Sequence, residues 1–228
     1  MFIPLHDTNP IRHVGLPYVT YGLIAINVLI FVFHTQMTTA QFDRATIEFG
    51  MIPIVVRDLY PEPLEWLPSE ATLFTYAFLH ADIWHLASNM LFLWIFADNA
   101  EDALGHVRFL VFYALTTVIA ALAHLAFNFE GNGPLIGASG AVAGVMGAYA
   151  LLYPHARVFV LARIVIPIPL PSVPAFWMLG FWLATQLFYL IVAADEAVAW
   201  WAHLGGFAAG LALAPVLKRR EVKLLGGR

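Results

Sequence analysis

The sequence predicts an all-α polytopic membrane protein, six transmembrane helices in a bundle with both termini in the cytoplasm. Three observations carry this. Of 228 residues, 61% are hydrophobic and 11% charged, against roughly 25% charged in a soluble domain. The mean hydropathy is +0.78. Six apolar runs approach the length of about 20 residues that a spanning helix needs, and the basic residues gather on one side of them.

The elements follow in order. Met1–Pro17 (residues 1–17) holds three prolines and lacks the basic-then-apolar order of a signal peptide, so the chain is expected to be mature and this segment cytoplasmic. Tyr18–Phe33 is the first run. The Thr35–His80 loop (residues 35–80) mixes apolar residues with prolines, and connections this long are usually functional. Its Trp66, Leu67 and Phe74 suit a bilayer interface. Ala81–Ala97 and Gly137–Tyr153, the second and fourth runs, are short enough to be re-entrant instead. Val107–Phe127, Ala175–Ala193 and Val198–Leu217 complete a membrane domain over residues 18–217. The basic tail, residues 218–228, reads as a topology anchor near anionic lipid. No internal repeat stands out.

Orientation follows from Lys and Arg in the connections. Six spans put both termini on one side. That side receives Arg12, Arg108, Arg157, Arg163, Lys218, Arg219, Arg220, Lys223 and Arg228, nine residues against two, Arg44 and Arg57, opposite. The acids Asp43, Glu48, Asp58, Glu62, Glu65, Glu70, Glu130, Asp195 and Glu196 lie outside. A net charge of −4 leaves no basic footprint for nucleic acid. Cysteine is absent, which excludes disulfides, a thiolate nucleophile and Cys-based metal sites.

Polar side chains inside spans cost a few kcal/mol on insertion scales, so each needs a reason. His85 and Asn89 stand four apart on one face of the second run. His203, Gly206 and Gly210 share a face of the sixth. Gly140, Gly144 and Gly147 offer a matching small-residue surface on the fourth, so these two helices are expected to touch closely, with His203 toward Ser139. Counting from Glu196, His203 lies about 10 Å deep at 1.5 Å per residue, and Asn89 reaches a similar depth from Asp82. All four polar groups fall in the outer part of the bilayer.

A serine is a weak nucleophile unless a base takes its proton. His203 is the base on the facing helix, and with no Asp or Glu on its helix face the pair is a dyad. Acyl hydrolysis also needs donors for a developing oxyanion. The Ser139 N–H, the Asn89 amide and the His85 ring are the candidates. Taken singly, Ser139 reads as a packing serine, and His203, His85 and Asn89 as interhelical glue. Their joint placement points to chemistry.

His85-Leu-Ala-Ser-Asn89 resembles the HxxxN of the rhomboid family of intramembrane serine proteases. Gly137-Ala138-Ser139-Gly140 resembles its GxSG, and Ala202-His203-Leu-Gly-Gly206-Phe-Ala-Ala-Gly210 its AHxxGxxxG. Glu101 and Gly105 fall where the family has ExxxG. The resemblance runs from about Pro17 to Leu217, with its motifs in family order on the second, fourth and sixth runs. It implies a six-helix bundle in which Ser139 is nucleophile and His203 base. By the same resemblance Asn89 and His85 support the oxyanion, and Gly137, Gly140, Gly144, Gly206 and Gly210 are packing glycines. It further implies single-span membrane proteins as substrates, cut within or beside the bilayer, the first loop lying on the membrane and the fifth helix as a lateral gate. No cofactor or metal is called for. Ala143 stands where some bacterial relatives have an aromatic residue that stacks on the histidine. Ala71-Thr72 replaces a Trp-Arg pair of the first loop. A bacterial inner membrane is the expected location.

Other classes fit less well. A zinc protease would need HExxH, and no His here precedes Glu. A transporter would use the same polar residues as an ion path, but repeat symmetry and mid-span acids are missing. A catalytically silent relative that binds membrane clients shares the fold, though such proteins usually lack the serine or the histidine. His124 has no evident partner, His80 is expected in a loop or interface, and His6 and His13 in solvent.

Overall fold

The computed structural model describes residues 2–59, 64–163, 167–192 and 198–226. Glu62, Ala193, Asp195, Glu196 and Arg228 lie outside the described residues. Six helices of 14 to 22 residues coincide with the six apolar runs: α1 (Tyr18–His34), α5 (Ile83–Leu104), α6 (His106–Phe127), α7 (Ser139–Leu152), α8 (Ala175–Val192) and α9 (Trp200–Leu217). Between α1 and α5 lie α2 (Thr39–Phe49) and two single turns, α3 (Pro53–Val56) and α4 (Thr72–Thr75). Among the described residues α6, α8 and α9 are long and apolar enough to cross a membrane, and α1 and α7 are shorter apolar helices.

The fold is mostly helical but not wholly so. Strand β1 (Phe2–Asp7) pairs antiparallel with β2 (Arg157–Arg163), which pairs antiparallel with β3 (Pro167–Pro174). The signal was present in β2, where buried Val158 and Val160 alternate with exposed Phe159, the period of a half-buried strand. Four prolines in β3 suit an edge strand, which need not donate to a further ladder. The N-terminal segment is thus tied to the connection between α7 and α8.

Helix α5 runs seven residues beyond the expected Ala97, carrying Asp98, Glu101 and Asp102. Its acids are matched by donors from the N-terminal segment. Glu101 accepts from the Val19 and Thr20 N–H groups (3.1 and 2.8 Å) and the Thr20 hydroxyl (2.7 Å), so a carboxylate sits at the positive start of α1. Asp102 accepts from the His13 and Val14 N–H groups and meets the His13 ring at 3.0 Å. His13 is an exposed residue, as expected, but its ring and backbone N–H both meet the Asp102 carboxylate. The tail returns to the same end, where Arg219 N–H donates to Ala103 C=O at 2.8 Å. Gly105 links α5 to α6 at φ +85°, a conformation that favours glycine.

Helix α7 is buried along almost its whole length, walled by α5, α6 and α9. Its small residues let backbones meet. A Cβ added to Gly210 would lie 1.9 Å from Gly144 O, and one on Gly147 would lie 2.2 Å from Phe207 O. The contact expected between the fourth and sixth runs is present, and the same glycines make it.

The first loop is a structured layer. Thr38 and Gln41 form a reciprocal capping box that starts α2. The Glu48 carboxylate accepts from the Glu65 and Trp66 N–H groups, and Arg44 pairs with Glu65. With Ala71 and Thr72 in place of Trp-Arg, this polar set anchors the loop. Trp66 and Phe74 are exposed, as an interfacial position would require.

Candidate active site

The site begins with a turn that only glycine tolerates. Gly137 has φ +110°, and a Cβ there would sit 2.5 Å from His85 Nε2. Its N–H donates to Tyr76 C=O at 3.0 Å, while the Tyr76 hydroxyl donates to Thr117 C=O at 2.9 Å. The first loop thereby supports the turn that leads into α7. Ser139 is the first residue of α7, and no side chain caps that end. The N–H groups of a helix's first turn have no intrahelical acceptor, so Ser139 Oγ stands beside N–H donors and the positive end of the dipole.

Asp82 caps α5 by accepting from the Trp84 and His85 N–H groups (2.7 and 2.9 Å). Those backbone bonds hold the Asp82 carboxyl below the usual carboxylate range. One turn further, Asn89 Nδ2 donates to His85 C=O at 3.0 Å. One of the two amide hydrogens is used there, and the amide lines the same cavity as His85 and Ser139.

From α9, His203 Nε2 lies 2.8 Å from Ser139 Oγ. The separation of the two helices at this level is set by Gly206 against Gly140 O. The structure thus brings together Ser139, His203, His85 and Asn89, with Gly137, Gly140, Gly144, Gly206 and Gly210 making the close approaches. They line a cavity of about 660 Å³, closed on its other side by Met178, Phe181, Trp182 and Tyr189 of α8. Trp182 and Trp200 lie 6.0 and 6.1 Å from the His203 ring, centroid to centroid. Among the described residues no group of three or more His, Cys, Asp or Glu side chains could hold a metal ion.

One polar residue at the site escaped the sequence reading, and a second lies where the sequence placed it but is buried. Gln186, in the middle of α8, places Oε1 at 2.7 Å from His203 Nδ1 and is 6% exposed. A polar side chain in a span was the available signal, but nothing in the spacing says which helix it faces. His80 is the other. It is fully buried, its ring centroid 5.1 Å from that of His85, and neither ring nitrogen has a hydrogen-bond partner among the described residues. Burial lowers its pKa to about 3. His124 does have a partner, Asn128 Nδ2 at 3.2 Å.

The fold and site define a helical membrane protein whose serine and histidine meet at a cavity between helices. The Rhomboid domain family matches residues 68–220 of the chain, a stretch that contains every site residue named above. The chain belongs to the rhomboid family. It is similar to the mitochondrial Rhomboid protein 1 of Saccharomyces cerevisiae, 31% identical over 64% of this chain and 42% of that protein. It is also similar to the mitochondrial RHOMBOID-like protein 12 of Arabidopsis thaliana, 32% identical over 65% of this chain and 47% of that protein. A third relative, Rhomboid protease GluP of Bacillus subtilis, is 33% identical over 61% of this chain and 25% of its own length. The chain spans less than half the length of each. The family and the apolar helices make this a membrane protein. The named relatives include mitochondrial proteins, so the bacterial inner membrane finds no support in them.

Proposed function

We propose that the protein is an intramembrane serine endopeptidase that cleaves single-span membrane proteins within or beside the bilayer. The observation that carries this reading is the 2.8 Å approach of His203 Nε2 to Ser139 Oγ at the wall of a cavity. His203 takes the Ser139 proton as Oγ adds to the scissile carbonyl carbon. The Ser139 N–H, the His85 ring and the free hydrogen of the Asn89 amide meet the oxyanion. As the C–N bond breaks, the imidazolium returns its proton to the leaving amine. A water, deprotonated by the same histidine, then releases the acyl group from Ser139.

The arrangement in the membrane belongs to the same proposal. The six long helices each span, residues 1–17 and 218–228 face the cytoplasm, and the 35–80 loop lies on the outer surface. Nine basic residues against two support that orientation.

A fluorophosphonate probe tests the nucleophile without a known substrate. Covalent labelling of the purified protein, mapped to Ser139 and lost in His203→Ala, is the expected result. A folded protein that takes no label favours instead a silent relative that binds membrane clients.

A further inference from the structure

A histidine serves as base toward Ser139 only in the tautomer with its proton on Nδ1 and its lone pair on Nε2. Which nitrogen carries the proton is set by the hydrogen bond the other makes. In this chain the group facing Nδ1 is Gln186 Oε1, 2.7 Å away. The amide's direction is fixed independently, because Gln186 Nε2 donates to Trp182 C=O and Thr185 Oγ1, each at 3.3 Å. Turned over, the amide would lose its bond to the Trp182 carbonyl and direct N–H at Nδ1. As placed, Nδ1 must donate to oxygen, and Nε2 is left to accept from Ser139.

We propose that Gln186 is the positioning residue of the site, holding the His203 ring and its tautomer through Nδ1, the task otherwise left open by Ala143. This rests on the protease reading above. The chemistry suits the location. An amide is a neutral acceptor, so it orients the ring without placing a carboxylate in the apolar layer, where an ionised group is costly.

The placement on α8 has a mechanical consequence. Residues Ala175, Met178, Leu179 and Gln186 are the buried positions of that helix, and Gln186 is the last of them. The first turn is fixed by Ala175 N–H on Ala156 C=O and Phe176 N–H on Pro154 C=O. Beyond Gln186 the helix is exposed, Ile191 by 82%. The bond to His203 thus joins α8 to the site near its outer end, with the Tyr189 ring stacked on Trp200 one turn further out, and swinging α8 outward breaks it.

The test compares Gln186→Met and Gln186→Glu with wild type, reading kcat and KM on a single-span reporter across pH. The titratable groups around His203 among the described residues are His85 of α5, His124 of α6 and Tyr189 of α8. Met keeps the volume and removes the acceptor, so kcat falls about 10- to 100-fold, the usual effect of losing an orienting partner, with KM within twofold. Glu keeps an acceptor and adds charge that favours the imidazolium, so the acid limb of kcat/KM moves up by about one pH unit. If Met keeps wild-type kcat and Glu leaves the limb in place, Trp182 and Trp200 hold the ring by packing alone and the inference falls. Cleavage that requires Ser139 and His203 but ignores Gln186 rejects only this inference. A folded wild type that neither cleaves nor takes a fluorophosphonate rejects the protease reading and this inference together.

Discussion

Gly206 of α9 lies directly on the backbone of Gly140, the residue after Ser139: a Cβ at Gly206 would sit 2.0 Å from Gly140 O. This contact sets the distance between the two helices that carry the serine and the histidine. Any side chain at 206 must push α9 away from α7. Overpacking of this kind costs about 1–3 kcal/mol, and a misplacement of about 1 Å costs roughly 100-fold in rate. Gly206→Val is expected to lower the thermal midpoint in detergent and to cut kcat at least 100-fold. Full activity in that variant would mean that the helices do not rely on this approach.

Asn89 sits beside Ser139 in the cavity wall without touching its hydroxyl in the described contacts. In the proposed mechanism its role is confined to the oxyanion. Asn89→Ala is expected to lower kcat by about 100- to 1,000-fold, the usual cost of one such donor, while leaving fluorophosphonate labelling of Ser139 detectable. An unchanged kcat would assign the oxyanion to the helix N–H groups and His85.

Glu101 receives two N–H groups and a hydroxyl from α1, and its carboxylate also meets His106. Bonds to a charged acceptor are worth about 1.5–3 kcal/mol each. Glu101→Ala is expected to destabilise the protein strongly and to expose the N-terminal segment to protease. Glu101→Gln, which keeps acceptor oxygen, is expected to fall between. If both variants melt with wild type, the tie between α1 and α5 does not hold the fold.

His80 gives a pH dependence of stability. Its folded pKa, about 3, lies below the ordinary 6.5 because burial disfavours the charged ring. Unfolded chains therefore bind more protons in that interval, and stability is present above pH 6.5 and lost as pH falls toward 3. His80→Leu removes this contribution and the two unpartnered nitrogens. It is expected to match or exceed wild-type stability at pH 7 and to flatten the acid side of the unfolding profile, read by thermal midpoints from pH 7 to 4. A variant as acid-sensitive as wild type would place the sensitivity elsewhere.

Much of this was legible in the chain. Six apolar runs located six helices, five of them within two residues at either end, because a membrane protein's helices are written as long uninterrupted apolar stretches; the sixth, α5, continues seven residues past the expected Ala97. The stripes at Gly140/Gly144 and Gly206/Gly210 named the pair of helices that touch. What escaped was set by contacts across elements. The continuation of α5 past Ala97 depends on donors from residues 13–20, far away in sequence. Strand β2 is stabilised by pairing with a segment more than 150 residues upstream. Gln186 faces His203 only because of how α8 leans on α9, which no spacing within α8 encodes.

The most direct measurement is cleavage of a single-span reporter in liposomes by wild type beside Ser139→Ala and His203→Ala. The account predicts cleavage by wild type and none above background in either variant. Cleavage that survives Ser139→Ala would contradict it, since the other serine and threonine hydroxyls lining the cavity, those of Ser88 and Thr185, donate to the His85 and Trp182 carbonyls.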